Sequence, residues 1–366
     1  MASYTVLARK YRPQTFQDVV GQTHVLAALS NALDSGRLHH AYLLTGTRGV
    51  GKTTIARILA KCFNCENGIT SRPCGVCHNC QAIQNGTFPD LIEIDAASRT
   101  KVEDTRDILD NVQYSPQAGR FKVYIIDEVH MLSGGSFNAL LKTLEEPPEY
   151  VKFILATTDP QKLPVTVVSR CLQFQLKALT LDEIRNQLKT VLSREEIGFE
   201  EEALSELSRA ARGSMRDALS LTDQAIALGG GRVTVAGVTG MLGTLDTSYL
   251  TEILSVIAEN SGSRLAGVLE TVSGVTPDFD TLHVSLAQIF HDLALYQVAG
   301  PCEDHYCLKG ELMAEFAKKF SPEELQLYYQ IVLEGRRELP YAPDGLAAFE
   351  MTLLRLLAFN LKKKGE

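Results

Sequence analysis

Residues 46–53 read Gly-Thr-Arg-Gly-Val-Gly-Lys-Thr, and the rest of the chain has to fold around what this octet does. Gly46, Gly49 and Gly51 permit backbone angles and close approaches that a Cβ would obstruct, so successive N–H groups converge on phosphate oxygens at the start of the next helix. Thr47, Arg48, Val50 and Thr54 belong to the same cradle. Lys52 supplies a flexible point charge for the β- and γ-phosphates, and Thr53 a hydroxyl for Mg²⁺. Ala41-Tyr42-Leu43-Leu44 ahead of the loop has the pattern of a buried strand, and residues 54–61 behind it space their apolar side chains as a helix does. Strand, loop and helix in this order form a nucleoside triphosphate site, so ATP binding and hydrolysis are expected.

A second element lies further along. In Val123-Tyr124-Ile125-Ile126-Asp127-Glu128, four apolar residues precede an acidic pair. Such a run suits a strand of a parallel sheet covered on both faces, with its carboxylates emerging at the carboxyl end beside the phosphate loop. Asp127 is the expected holder of Mg²⁺, and Glu128 the group that orients and deprotonates the attacking water.

A chain of 366 residues is long enough for two or three domains, each with its own core. Lys and Arg number 36 against 44 Asp and Glu, for a formal charge of −8. That balance argues against wholesale wrapping of nucleic acid by a basic surface and leaves room for a local basic lining. No apolar h-region follows a basic start, and no run reaches the roughly 18 apolar residues of a membrane span. A cytoplasmic protein with no membrane partner is the expectation.

Eight cysteines in such a chain point to metal before disulfides. Cys62, Cys65, Cys74, Cys77 and Cys80 crowd one segment, with residues 74–80 reading Cys-Gly-Val-Cys-His-Asn-Cys. Four thiolates at this spacing converge on a structural Zn²⁺, closed to substrate, and Pro73 and Gly75 supply the tight turns. Spacing alone leaves open which four, because Cys62 and Cys65 also make a C-x-x-C. Cys171 has the pattern of a core thiol. Cys302 and Cys307, flanking His305, read as part of an ordinary connection.

Strand-like runs at residues 91–95, 122–127, 152–158 and 171–176 join the one before the phosphate loop and alternate with helical stretches. The expected fold class is therefore α/β: a five-stranded, doubly wound parallel sheet over 1–178, with residues 65–87 as a zinc-binding insertion. Thr180-Leu181-Asp182-Glu183 is a capping box that opens an all-helical lid over 179–243. From 244 to 366 the spacing stays helical, and Ser321-Pro322-Glu323-Glu324 opens a further helix, so an all-α domain for assembly closes the chain.

Taken with these features, residues 7–22 (LARKYRPQTFQDVVGQ), DLIEIDAASRTKVEDTRD, IIDEVHMLS, LLKTLEEPPE, LATTDPQKLP, Ser169-Arg170-Cys171 and GSMRDALSL make the chain similar to the AAA+ clamp-loader ATPases over essentially its whole length. More narrowly, it resembles the gamma/tau subunits of the bacterial DNA polymerase III clamp loader. The resemblance implies zinc on Cys65, Cys74, Cys77 and Cys80, leaving Cys62 an extra thiol. It implies a polar γ-phosphate sensor at Thr158 and a second sensor at Arg216 on the lid. It also implies that Arg170 acts in trans, on the γ-phosphate held by the neighbouring subunit, as an arginine finger does; a local carboxylate is the alternative partner. Val19 and Val20 would offer apolar contact to the adenine.

Arg99 and Lys101, in the loop after the second strand, are the candidates for backbone contacts to primer–template DNA. The implied partners are delta- and delta-prime-type subunits, further copies of this chain, the sliding clamp and primed DNA. The tau form of this family carries further C-terminal domains, and where the natural chain ends is left open. Two competing readings stay in view. A non-catalytic scaffold is opposed by the intact Gly51-Lys52-Thr53 and Glu128. A branch-migration motor is opposed by the cysteine insertion and the helical third domain.

Overall fold

The computed structural model describes residues 5–98, 111–242, 247–275, 278–301, 308 and 310–360. The chain divides into two compact units, 1–234 and 235–366.

The first unit is organised by a parallel sheet of β1 (Ala41–Thr45), β2 (Leu91–Asp95), β3 (Lys122–Asp127), β4 (Val151–Thr157) and β5 (Leu172–Gln175), in the order β2-β3-β4-β1-β5. Every residue of β1 and β4 is buried, as a strand covered on both faces requires. Alternate side chains feed two different cores. Tyr42, Leu44, Val123, Ile125, Ile154 and Ala156 pack with the helix Lys52–Asn64, through Ile55, Ile58, Leu59 and Phe63. Ala41, Leu43, Tyr124, Ile126, Phe153 and Leu155 pack on the opposite face with Phe137, Leu140 and Leu144 of the helix Gly134–Glu145. The period-2 alternation of a strand thus becomes a three-layer sandwich.

Topology places the chemistry. β4 lies between β1 and β3, with Thr45 beside Thr157 and Ile126 beside Leu155. The carboxyl ends of the three strands therefore deliver the phosphate loop, the acidic pair and Thr158 to one edge of the sheet, where ligands of open α/β sheets bind.

Residues 179–234 of the expected lid are also part of the first unit, and the helix Val235–Leu242 falls in the second. The lid helices Leu181–Arg194, Glu201–Ala210 and Met215–Leu228 share a buried core that includes Ile184, Leu188, Leu204, Leu207 and Ala218. The expected capping box is present: Glu183 N–H donates to Thr180 Oγ1 at 3.2 Å and Thr180 N–H to Glu183 Oε2 at 2.8 Å. The segment is not wholly helical, however. Gly198 and Phe199 pair in parallel with Arg232 and Val233, a ladder too short to leave an alternating pattern in the sequence.

The N-terminal segment is fastened to this lid. Leu7 N–H donates to Asp223 Oδ2 at 2.8 Å, Lys10 Nζ lies 2.6 Å from Glu195 Oε1, and the Tyr11 hydroxyl donates to the same carboxylate.

Among the described residues, the second unit contains helices and no strands, from Val235–Leu242 to Gly345–Ala358. Phe290, Phe316, Tyr328, Phe349 and Leu353 fill its core. Ser321 and Glu324 form the second expected capping box, with Pro322 in the first turn, where its missing N–H costs nothing.

Candidate active site

The phosphate loop closes at the start of the helix Lys52–Asn64, with Gly51 in the left-handed region at φ +104°. Apart from its own chain neighbours, no described residue lies within 4 Å of where a Gly51 Cβ would stand, so the backbone angle and not crowding calls for glycine there. Gly49 is crowded: a Cβ there would lie 1.8 Å from Ser214 Oγ, the N-cap of the lid helix that carries Arg216. The lid therefore rests on the loop at a point where only glycine fits.

Lys52 is buried, and its Nζ donates to the carbonyls of Gly46 and Thr47, both at 2.9 Å. Burial lowers its pKa, and the nearby Glu128 and Asp127 pull the other way. Thr53 Oγ1 donates to Asp127 Oδ2 at 2.5 Å, which puts the two expected Mg²⁺ groups in direct contact. Asp127 Oδ1 accepts the Glu128 N–H at 3.0 Å.

Glu128 stands at φ +47°, an unusual conformation for a residue with a Cβ and one that concentrates at functional sites. Its Oε2 accepts both the Thr158 N–H at 3.0 Å and the Thr158 hydroxyl at 2.8 Å. His130 Nδ1 approaches the same oxygen at 3.4 Å and lies 2.8 Å from Thr157 Oγ1. His130 thus joins the carboxylate to the end of β4, a contact that no motif in the sequence announces. Its place three residues after Asp127 in an otherwise apolar turn was the available signal.

Arg170 donates to Glu145 Oε1 and to the Thr166 carbonyl, both at 2.8 Å. Arg216 lies exposed in the first turn of its helix. Val19 packs half-buried against the core of the Lys52–Asn64 face, Val20 is half-buried, and Thr47 and Arg48 are exposed. Arg12, half-buried, has its pKa lowered by burial first, and Arg57 and Arg216 push the same way. Arg99, Lys101, Cys302 and Cys307 lie outside the described residues.

The structure brings Cys65, Cys74, Cys77 and Cys80 together, with all four Sγ atoms within 4.8 Å of one another. Tetrahedral thiolates about 2.3 Å from a zinc ion stand about 3.8 Å apart, so the cluster fits with little adjustment. Backbone N–H groups of Cys74, Cys77 and Cys80 donate to the sulfurs of Cys65, Cys74 and Cys77 at 3.4, 3.3 and 3.4 Å. The Cys77 N–H is the main reason the Cys74 thiol falls to about 7. Cys62 is outside the cluster, in the core with Phe63 and Tyr42, where burial pushes its thiol up.

A parallel sheet, a phosphate loop opening onto an acidic pair, and a helical lid seated on that loop define an AAA+ module. The family descriptions that match are "DNA polymerase III, delta subunit" over 21–180, "DNA polymerase III clamp loader subunit, ATPase lid domain" over 183–231 and "DNA polymerase III subunits gamma and tau domain III" over 233–366. The DNA polymerase III subunit gamma of Buchnera aphidicola subsp. Baizongia pistaciae is 45% identical over 98% of each chain. The subunit tau of Escherichia coli is 60% identical over 98% of this chain and 56% of its own. Bacillus subtilis tau is 39% identical over 97% of this chain and 63% of its own. The chain belongs to the gamma/tau subunit family of bacterial DNA polymerase III. It spans about half the length of the tau subunits of Escherichia coli and Salmonella typhimurium.

Among the described residues, no helix is long and apolar enough to cross a membrane.

Proposed function

We propose that this chain is the ATP-hydrolysing motor subunit of a cytoplasmic clamp loader. ATP binding by several copies would favour a form that grips and opens a ring-shaped sliding clamp, and hydrolysis on primed DNA would release it. The observation that carries this reading is the contact of Thr53, the residue after Lys52, with Asp127, and Glu128 follows Asp127 directly. A scaffold that had lost catalysis would have no reason to keep all four.

In this reading the loop amides and Lys52 hold the β- and γ-phosphates, and Thr53 and Asp127 hold Mg²⁺, which neutralises charge on the phosphate oxygens. Glu128 takes a proton from the attacking water as the terminal phosphoryl group leaves ADP. To do so it exchanges its bond with Thr158 for one with water, while Thr158 becomes the γ-phosphate sensor. Arg216 draws the lid toward the nucleotide. Arg170 gives up Glu145, a partly exposed pair worth at most about 1 kcal/mol, and reaches a neighbouring subunit's phosphate. Cys65, Cys74, Cys77 and Cys80 hold a structural zinc.

Domains over 1–178, 179–243 and 244–366 would serve catalysis, lid closure and assembly. The partners are delta- and delta-prime-type subunits, other copies of this chain, the clamp and primer–template DNA, with Arg99 and Lys101 on its phosphates. Nothing in this site calls for nucleotide polymerisation, whatever the name of the holoenzyme.

The deciding assay measures ATP turnover with partner subunits, clamp and primed DNA for the wild type, Lys52→Ala and Glu128→Gln. Loss of turnover in both variants, with nucleotide binding retained only in Glu128→Gln, is the expected result. Wild-type turnover in both would remove the catalytic assignment.

A further inference from the structure

The helix Lys52–Asn64 has a different site at each end: the phosphate loop enters its first turn, and Cys65 is its C-cap. One turn before that cap lies Lys61, whose carbonyl accepts the Cys65 N–H at 2.8 Å. Lys61 is only 3% exposed. A buried ammonium is unfavourable unless an anion compensates it, yet among the described residues no carboxylate comes within ion-pair distance. Its Nζ donates to two neutral amide oxygens, Gln14 Oε1 at 2.5 Å and Gln84 Oε1 at 3.4 Å.

Position supplies the missing anion. Gln84 follows Cys80 by four residues on the helix His78–Asn85, so Lys61 precedes Cys65 by one turn on its own helix and bonds a residue one turn from Cys80 on the other. Four thiolates around a divalent ion would carry a net charge of −2; exposed Arg120 donates to the Cys65 and Glu66 carbonyls, and Lys61 is the buried cation, with Cys80 first among the charges that favour its ammonium. Gln14 extends the connection: its Nε2 donates to the Arg12 carbonyl at 2.9 Å and so fixes the turn at 12–14. That turn continues the N-terminal segment held to the lid at Asp223 and Glu195.

We propose that Lys61 is the counter-ion of the four-cysteine metal site and, through Gln14, the tie by which that site holds the N-terminal segment in place. This rests on the zinc reading above. Lys61 is a positioning residue: it touches neither the metal nor the nucleotide.

The test uses the full chain as wild type, Lys61→Met, Lys61→Arg and Gln14→Leu, with Lys61→Gln as the substitute if the Met variant does not fold. Zinc per chain is measured first, then the rate of zinc loss to excess 4-(2-pyridylazo)resorcinol, then amide hydrogen exchange over residues 11–18. The expected results are one zinc per wild-type chain, loss about tenfold faster in Lys61→Met, a near-wild-type rate in Lys61→Arg and in Gln14→Leu, and faster exchange over 11–18 in Lys61→Met, Gln14→Leu and chelator-stripped wild type. Zinc-replete wild type with unchanged loss from Lys61→Met overturns this proposal alone, as does equal acceleration in Lys61→Met and Lys61→Arg. Wild type recovered without zinc overturns the metal assignment and this proposal with it.

Discussion

Glu128 and Thr158 are joined twice, the carboxylate Oε2 taking both the backbone N–H and the hydroxyl of the threonine. The group proposed to activate water is therefore held by the group proposed to sense the γ-phosphate, so one residue governs when the other is free. Thr158→Val keeps the shape and the N–H and removes the hydroxyl. It should lower kcat about tenfold or more, with KM for ATP nearly unchanged, because the hydroxyl acts only as the reaction proceeds. Steady-state kinetics in the assembled complex decide it, and an unaltered kcat would break the link.

Arg170 offers a test in mixtures. Arg170→Ala should cost about 10³-fold in turnover of the assembled complex and leave nucleotide binding by the isolated chain unaffected. Glu145→Gln, which only frees the guanidinium, should leave turnover equal or higher. Mixing Arg170→Ala chains with Lys52→Ala chains should restore part of the activity if the guanidinium works across subunits. Absence of rescue at every ratio would assign Arg170 to its local partner.

Gly49 is where the lid meets the phosphate loop. In Gly49→Ala the new methyl group would collide with Ser214 Oγ, displacing the lid helix that carries Arg216. ATP affinity should fall by about tenfold or more, of the order that 1–3 kcal/mol of local strain implies. Adding Ser214→Gly should recover part of that loss, and only part, because φ +78° still disfavours alanine. Titration with a fluorescent ATP analogue would show it; a double variant no better than the single one would locate the defect elsewhere.

His283 gives the second unit a pH dependence of known sign. It is fully buried between the Phe279 carbonyl and the Thr352 hydroxyl, and burial lowers its pKa below the ordinary 6.5. The unfolded chain therefore binds this proton first. Stability contributed by the neutral ring is present above about pH 6.5 and is lost as pH falls below that value toward the depressed folded one. Urea midpoints of wild type and His283→Gln, compared from pH 7.5 to 5, should converge as pH falls. Parallel curves would show that His283 does not titrate on unfolding.

The sheet was legible in the sequence because its central strands are covered on both faces: Tyr124 to Ile126 and Phe153 to Ala156 are continuous apolar runs that no exposed strand would carry. Capping chemistry is equally local, and Thr180 with Glu183 and Ser321 with Glu324 needed only three residues of spacing. The hold of Thr158 on Glu128, the pairing of Arg170 with Glu145 and the two-residue ladder at Phe199 and Val233 leave no such trace. Each joins residues 25 or more positions apart through one or two contacts. Spacing narrows the candidate metal ligands to five cysteines. The choice of Cys65 over Cys62 depends on helix phase: Cys62 faces the core, and Cys65 stands at the cap, where the chain turns away.

The helix Lys52–Asn64 is therefore constrained in length as well as composition. Adding or deleting one residue within it would swing Cys65 by about 100° around the axis and 1.5 Å along it relative to the phosphate loop, disengaging the sulfur from its three companions. Length changes among relatives should be confined to the stretch after Cys65, where the insertion can lengthen or shrink without disturbing the register between the two ends.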